Sequence, residues 1–201
     1  MNVQIKDLSK RYLYEWIIRD MSHEFVTDSV TGVQGINGSG KSTFLKMISG
    51  YLSPSEGSIT YSINGKEIDR HSIYQYIAFA APYTDIINEY DVWEMYAFHV
   101  KFKTMRLRMT VDEFVSLVKL DKTKGKQIQF YSSGMKQRLQ LALAILTDSK
   151  LLLLDEPTSY LDEDNKAWYT DLLRHHTSDR TIIIASNDAK DFELCHQVIE
   201  L

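Results

Sequence analysis

The sequence predicts an α/β fold with a mostly parallel core sheet, an accompanying antiparallel β layer and a helical insertion. Three observations carry that prediction. The apolar runs at residues 151–154 and 181–185 read as strands buried on both faces, as strands of parallel sheets are. A glycine-rich loop at residues 35–42 stands between a strand pattern and a helix pattern. Asn64-Gly65, flanked by alternating apolar and polar residues, is the strongest short-range hairpin signal. A chain of 201 residues is long enough to bury a sizeable core, and residues 1–201 are expected to form a single domain, with the insertion at about 84–147.

The elements follow in order. Residues 3–5 read as a short strand, followed by a loop carrying Tyr12, Tyr14 and Trp16. Residues 29–34 form a buried strand, and a helix over about 43–49 ends at the plausible cap Gly50. The hairpin at 57–68 supplies the antiparallel layer. Residues 92–102 are apolar and aromatic at helical spacing. Thr110-Val111-Asp112-Glu113 is a capping box that opens a second helix. The lysines at 119, 122, 124 and 126 read as a solvated face. A helix over 135–146 starts from Ser132, another covers about 165–175, and residues 198–201 close the sheet.

Composition bounds the function. The net charge of −4 gives no reason to expect nucleic acid as a partner. One cysteine, Cys195, excludes an internal disulfide and fits a reducing compartment. The N-terminal residues lack an apolar signal region, and no apolar run approaches the roughly 20 residues that span a bilayer. Work at a membrane is therefore expected to go through a partner.

Residues 35–42 read Gly-Ile-Asn-Gly-Ser-Gly-Lys-Ser, which is G-x-x-x-x-G-K-[ST], the phosphate loop of P-loop NTPases. Gly35, Gly38 and Gly40 let consecutive N–H groups converge on one concavity. Lys41 supplies charge for the β- and γ-phosphates of ATP, and Ser42 a hydroxyl for Mg²⁺. The helix from Lys41 presents its positive end to the same anion. Asn37, Ser39 and Thr43 complete the candidate nucleotide contacts. A triphosphate with Mg²⁺ also needs a carboxylate. Asp155 follows an apolar strand, where doubly wound sheets place ligand groups, and can hold the metal. Glu156 beside it can polarise an attacking water as general base.

Further segments carry a family resemblance. The run Tyr131-Ser132-Ser133-Gly134-Met135-Lys136-Gln137-Arg138 resembles the Leu-Ser-Gly-Gly-Gln signature of the ATP-binding cassette (ABC) family. Ser159-Tyr160-Leu161-Asp162 resembles that family's D-loop, and Val92-Trp93-Glu94 the opening of its helical subdomain. The likeness covers nearly the whole chain in order. It implies that Tyr12 stacks on adenine, and that the insertion is a helical signature subdomain. It also implies that two such domains pack head to tail. Ser132, Ser133, Gly134 and Asp162 of one would then close over the nucleotide of the other. The expected partners are a second copy or another ABC subunit, as homodimer or heterodimer, and an integral membrane permease. The expected place is cytoplasmic, on the inner face of the membrane. A chain ending just after its last strand has no room for a regulatory domain, as in small exporter cassettes. The alternatives are a soluble ABC ATPase outside transport and a non-hydrolysing ATP-binding interaction module.

Three positions depart from the family pattern. Ser133-Gly134-Met135 replaces Gly-Gly-Gln. Pro82 stands where the Q-loop glutamine is expected, and a proline offers no side-chain amide. Asn187 replaces the switch histidine after Ser186, and can donate a hydrogen bond but not carry a proton. Slow hydrolysis is the expectation that follows.

Overall fold

The computed structural model describes residues 1–201 except Tyr83 and Asp85. It holds two compact units, one of residues 1–79, 149–156 and 177–201, the other of residues 80–148 and 157–176. The strands are β1 (Asn2–Tyr12), β2 (Glu15–Phe25), β3 (Val30–Gln34), β4 (Glu56–Ile63), β5 (Lys66–Ile68), β6 (Ile77–Ala80), β7 (Leu151–Asp155), β8 (Thr181–Ser186) and β9 (Gln197–Glu200).

The first unit carries two sheets. One is antiparallel, in the order β2-β1-β4-β5. The other runs β6-β7-β8-β3-β9, with β7, β8, β3 and β9 mutually parallel. The helix α1 (Lys41–Ile48) lies in a single core with residues of both. Phe44, Leu45, Met47 and Ile48 are fully buried together with Val3, Leu8 and Phe25 of the first sheet and Val33, Leu153 and Ile183 of the second. Each such side chain contributes roughly 1.5–3 kcal/mol on burial, so this cluster fixes where α1 begins. The α/β class, the parallel core and the antiparallel layer are all as the sequence predicts. The hairpin turn falls on Asn64 and Gly65, both at positive φ.

The N-terminus differs from expectation. The short strand and loop are an 11-residue β1 and an 11-residue β2 in one long hairpin. Tyr12 ends β1, Tyr14 lies in the turn and Trp16 in β2. Register shifts between Ile5 and Leu8, Leu8 and Lys10, and Lys10 and Arg11 mark bulges, and Asp7 and Asp20 sit at positive φ. Each bulge inserts a residue and reverses the side-chain parity, so the period-two pattern disappears from the sequence. The strand β6, beside β7, is likewise absent from the sequence reading.

The second unit is helical: α2 (Val92–His99), α3 (Val111–Leu117), α4 (Ser133–Leu146) and α5 (Glu163–Arg174). The Thr110 capping box is present as expected. Asp91 and Glu94 form another, which the sequence reading missed. The first helix stops at His99, three residues short of expectation, where the chain tightens into turns. The last helix begins earlier than expected, because Asp162 caps it by accepting from the Asn165 N–H at 2.9 Å. Tyr96 stacks on Phe114 at 4.5 Å between ring centroids, joining α2 to α3. The Trp168 indole donates to the Leu117 carbonyl at 3.0 Å and ties α5 to α3.

Residues 100–110 form no helix, yet are pinned to the end of α4. Met105 bridges to Thr147, the Arg106 N–H donates to Leu146 at 2.7 Å, and the Asp148 N–H donates to Thr104 at 2.8 Å. His99 Nε2 lies 2.8 Å from the Thr147 hydroxyl, whose own proton goes to the Leu143 carbonyl. His99 therefore donates through Nε2. Burial, and then the charge of Lys103, hold its pKa down at about 4. No helix among the described residues is long and apolar enough to cross a membrane.

Candidate functional site

In the first unit, β3 delivers the chain into the phosphate loop and α1 carries it away. Gly40 is the N-cap of α1 at φ 102°, and offers no side chain to the helix N-terminus. The first-turn N–H groups of Lys41, Ser42 and Thr43 are thus left without a side-chain cap, as an anion site requires. A Cβ at Gly40 would also stand 2.7 Å from Ile17 Cγ2. Ile17 and Ile18 of β2 therefore roof the loop, a contact without any sequence signal. Gly35 packs against Ser39, and the Ser39 N–H closes a turn to Ile36 at 3.1 Å. Gly38 is exposed at φ 88° with open space around it. Tyr12, at the end of β1, is half exposed, with Lys10 Nζ 5.2 Å from its ring centroid.

Lys41 is the pivot. Its side chain is only 6% exposed. It donates to the carbonyls of Gly35 at 2.7 Å and Ile36 at 3.2 Å, and pairs with Glu156 Oε1 at 3.2 Å. Asp155, the last residue of β7, is buried. Glu156 follows at φ 45°, with its N–H donating to Ala185 at 2.7 Å. A non-glycine residue in that left-handed region gives up roughly 1–2 kcal/mol.

The other Glu156 oxygen faces the end of β8. It lies 3.2 Å from the Ser186 hydroxyl and 3.5 Å from the Asn187 N–H. Ser186 also approaches the buried Asp191 carboxylate at 2.5 Å and accepts from the Asp188 N–H at 3.0 Å. The Asn187 side-chain amide donates to Asn37 Oδ1 at 2.9 Å. Four sequence candidates thus meet directly, Lys41 with Glu156 and Asn37 with Asn187. Neither pairing is visible in the sequence, since the partners are far apart along the chain.

The remaining candidates belong to the second unit. Ser132 is the N-cap of α4 and accepts from the Met135 N–H at 3.3 Å. Ser133 and Gly134 form the first turn. A Cβ at Gly134 would stand 2.9 Å from the Tyr160 carbonyl, so glycine is needed there for packing, whatever else it does. Asp162, as the cap of α5, likewise has a structural task. Gln137, which the sequence reading passed over, is buried and donates to the Pro157 carbonyl at 2.9 Å. Pro82, Ser133, Lys136, Gln137, Gln140 and Tyr160 help to line a cavity of about 260 Å³.

The donor chemistry suits Mg²⁺. Ser42 offers a hydroxyl and Asp155 a buried carboxylate, both hard oxygen donors. Among the described residues no cluster of three or more His, Cys, Asp or Glu could hold a metal alone. Mg²⁺ fits such a site, because it takes one or two protein oxygens and completes its shell with phosphate and water.

A phosphate loop between β3 and α1, with two carboxylates at the end of β7 on the far side of β8, defines a P-loop NTPase fold. Residues 18–159 match the model of a family described as ABC transporter. An ABC transporter ATP-binding protein of Bacillus subtilis, YybJ, itself uncharacterised, is 31% identical over 99% of this chain and 92% of its own length. The human phospholipid-transporting ATPase ABCA3 is 28% identical over 96% of this chain, which spans only 12% of that protein. A putative ABC transporter ATP-binding protein of Pyrococcus furiosus superposes over 100% of this chain and 98% of its own, with a TM-score of 0.78 and 25% identity. A cassette solved as a dimer with ADP and Pi shares the fold, with a TM-score of 0.84 at 21% identity over 99% of this chain and 94% of its own. This chain belongs to the ABC transporter family.

Proposed function

We propose that this chain is an ATP-binding, slowly hydrolysing subunit that dimerises head to tail around ATP and energises a separate membrane-spanning permease from the cytoplasmic face. The observation that carries the reading is the Lys41–Glu156 pair at 3.2 Å, whose members in this reading are the phosphate-binding cation and the general base. In this reading Gly35, Asn37, Gly38, Ser39, Gly40, Lys41, Ser42 and Thr43 hold the phosphates, and Tyr12 stacks on adenine. Ser42 and Asp155 hold Mg²⁺, which neutralises charge on the β- and γ-phosphates. Glu156 accepts the proton of the attacking water. Ser132, Ser133, Gly134 and Asp162 meet the nucleotide of the second copy, or of another ABC subunit, across the dimer.

Slow turnover rests on Asn187 and Pro82. Asn187 can donate to a phosphate oxygen, as its amide donates to Asn37 at 2.9 Å, but it cannot relay a proton. Loss of such a group lowers the rate on the order of 10²–10⁴-fold. The test pairs purification from membranes with assays on the isolated chain. Lys41→Ala abolishes ATP binding while the circular dichroism spectrum is retained. A multispan membrane protein co-purifies with the wild type. Wild-type ATP affinity in Lys41→Ala refutes the site, family-typical turnover refutes the slow step, and a purely soluble complex refutes the transporter role.

A further inference from the structure

Asp191 is a buried carboxylate for which the proposed reaction has no use. It lies on a short 3-10 turn, Ala189–Phe192, that follows the end of β8, and is 5% exposed. The turn is fixed in place. The Asp191 N–H donates to the Asp188 carbonyl at 3.0 Å. Phe192 packs so closely on Gly32 of β3 that a Cβ there would stand 2.5 Å from its ring. One Asp191 oxygen is thereby held 2.5 Å from the Ser186 hydroxyl, and Ser186 is fully buried.

That hydroxyl has a second carboxylate beside it, Glu156 Oε2 at 3.2 Å. It also accepts the Asp188 N–H at 3.0 Å. A serine hydroxyl carries one proton, so it can serve only one of the two carboxylates. The shorter contact takes it, and the proton points to Asp191 in place of Glu156. Glu156 Oε1 is engaged by Lys41 at 3.2 Å. Among the described residues, the donor that remains to Glu156 Oε2 is the Asn187 N–H, long at 3.5 Å.

We propose that Asp191 is a positioning residue for the general base. By holding the only proton of Ser186 it keeps Glu156 Oε2 open, and this oxygen takes the proton of the attacking water. The water oxygen bonds to the γ-phosphorus, and the bridging oxygen leaves with ADP. The inference rests on the proposed ATPase function, and adds which oxygen of Glu156 receives the proton and what keeps it available. Without the Asp191 charge the Ser186 proton turns to Glu156, because a hydrogen bond to a carboxylate is stronger than one to a neutral acceptor. Water then has to displace that bond before it can give up its own proton.

The test is phosphate release from ATP by the full chain, with kcat and KM read separately. Asp191→Asn keeps the shape of the side chain and removes its charge. Asp191→Ala, run in parallel, removes the acceptor altogether, and melting temperatures confirm folding. In both, kcat falls roughly 10- to 100-fold with KM unchanged, as expected for one charge-assisted hydrogen bond to the base. Adding Ser186→Ala to either variant removes the competing donor and raises kcat again several-fold. An aspartate with a merely structural role is not rescued by a second truncation beside it. Unchanged kcat in the Asp191 variants, no recovery in the double variants, or a loss carried by KM overturns the proposal. Glu156→Gln in the same assay separates the two readings. Turnover of that variant within about tenfold of wild type overturns the base and its positioner together. Slow turnover of Glu156→Gln beside unaffected Asp191 variants overturns the role of Asp191 alone.

Discussion

Glu156→Gln is the substitution whose consequences the structure defines best. Glu156 holds Lys41 at 3.2 Å, so in the proposed site phosphate and carboxylate would compete for one ammonium. The bare Coulomb attraction at that distance is about 5 kcal/mol for an effective dielectric of about 20, and desolvation of the nearly buried lysine cancels most of it. A charge-assisted hydrogen bond nets roughly 1.5–3 kcal/mol against roughly 1 for a neutral one. Replacing the carboxylate by an amide therefore frees about 1–2 kcal/mol, which is roughly 5- to 30-fold in nucleotide affinity. The two carbonyl contacts of Lys41 remain and limit the gain. Titration calorimetry with ADP, which reaches Lys41 through its β-phosphate but lacks the γ-phosphate that would bridge a dimer, isolates this effect. Hydrolysis should fall on the order of 10²–10⁴-fold in the same variant. ADP binding that is unchanged or weaker, or turnover within tenfold of wild type, refutes the competition and the base respectively.

Other outcomes follow from particular contacts. Gly134→Ala places a methyl group 2.9 Å from the Tyr160 carbonyl, and should destabilise the protein by about 1–3 kcal/mol in urea titration; an unshifted midpoint would show that the backbone yields. Asn187→His should raise kcat at least tenfold with little change in KM, and an unchanged kcat would mean that this position does not limit hydrolysis. His99, held at about 4 in the folded state against 6.5 unfolded, binds fewer protons when folded. Stability is therefore intact above pH 6.5 and declines as pH falls toward 4. The ceiling is about 3 kcal/mol, and solvent screening of a half-buried group reduces it to about 1–2. Denaturation midpoints at pH 7, 5.5 and 4.5 measure it, and an equal loss in His99→Gln would assign the decline elsewhere.

Local chemistry made much of this protein legible. The phosphate loop, the Asn64-Gly65 turn, the Thr110 box and the apolar strand ending at Asp155 each announce themselves within a few residues. The β1–β2 hairpin did not, because bulges at its register shifts erase the alternation by which a strand is recognised. The Asp91–Glu94 box was readable in the sequence and was missed. Lys41 with Glu156, Asn37 with Asn187, Ile17 over Gly40 and Gln137 with Pro157 are products of tertiary folding, and no window of sequence contains them. Sequence therefore named most of the candidate residues, while the fold decided which of them touch.

The backbone angle of Glu156 bears on selection. At φ 45° the chain would be more relaxed with glycine or asparagine in that place. Random substitution tends to drift toward whichever residue the backbone tolerates best, unless a side chain is needed for something else. Here the carboxylate ties Lys41 to the end of β8, where it contacts the Ser186 hydroxyl and the Asn187 N–H, which glycine could not do. In the proposed function, the conformation that makes those ties would also fix the direction from which this carboxylate meets an attacking water.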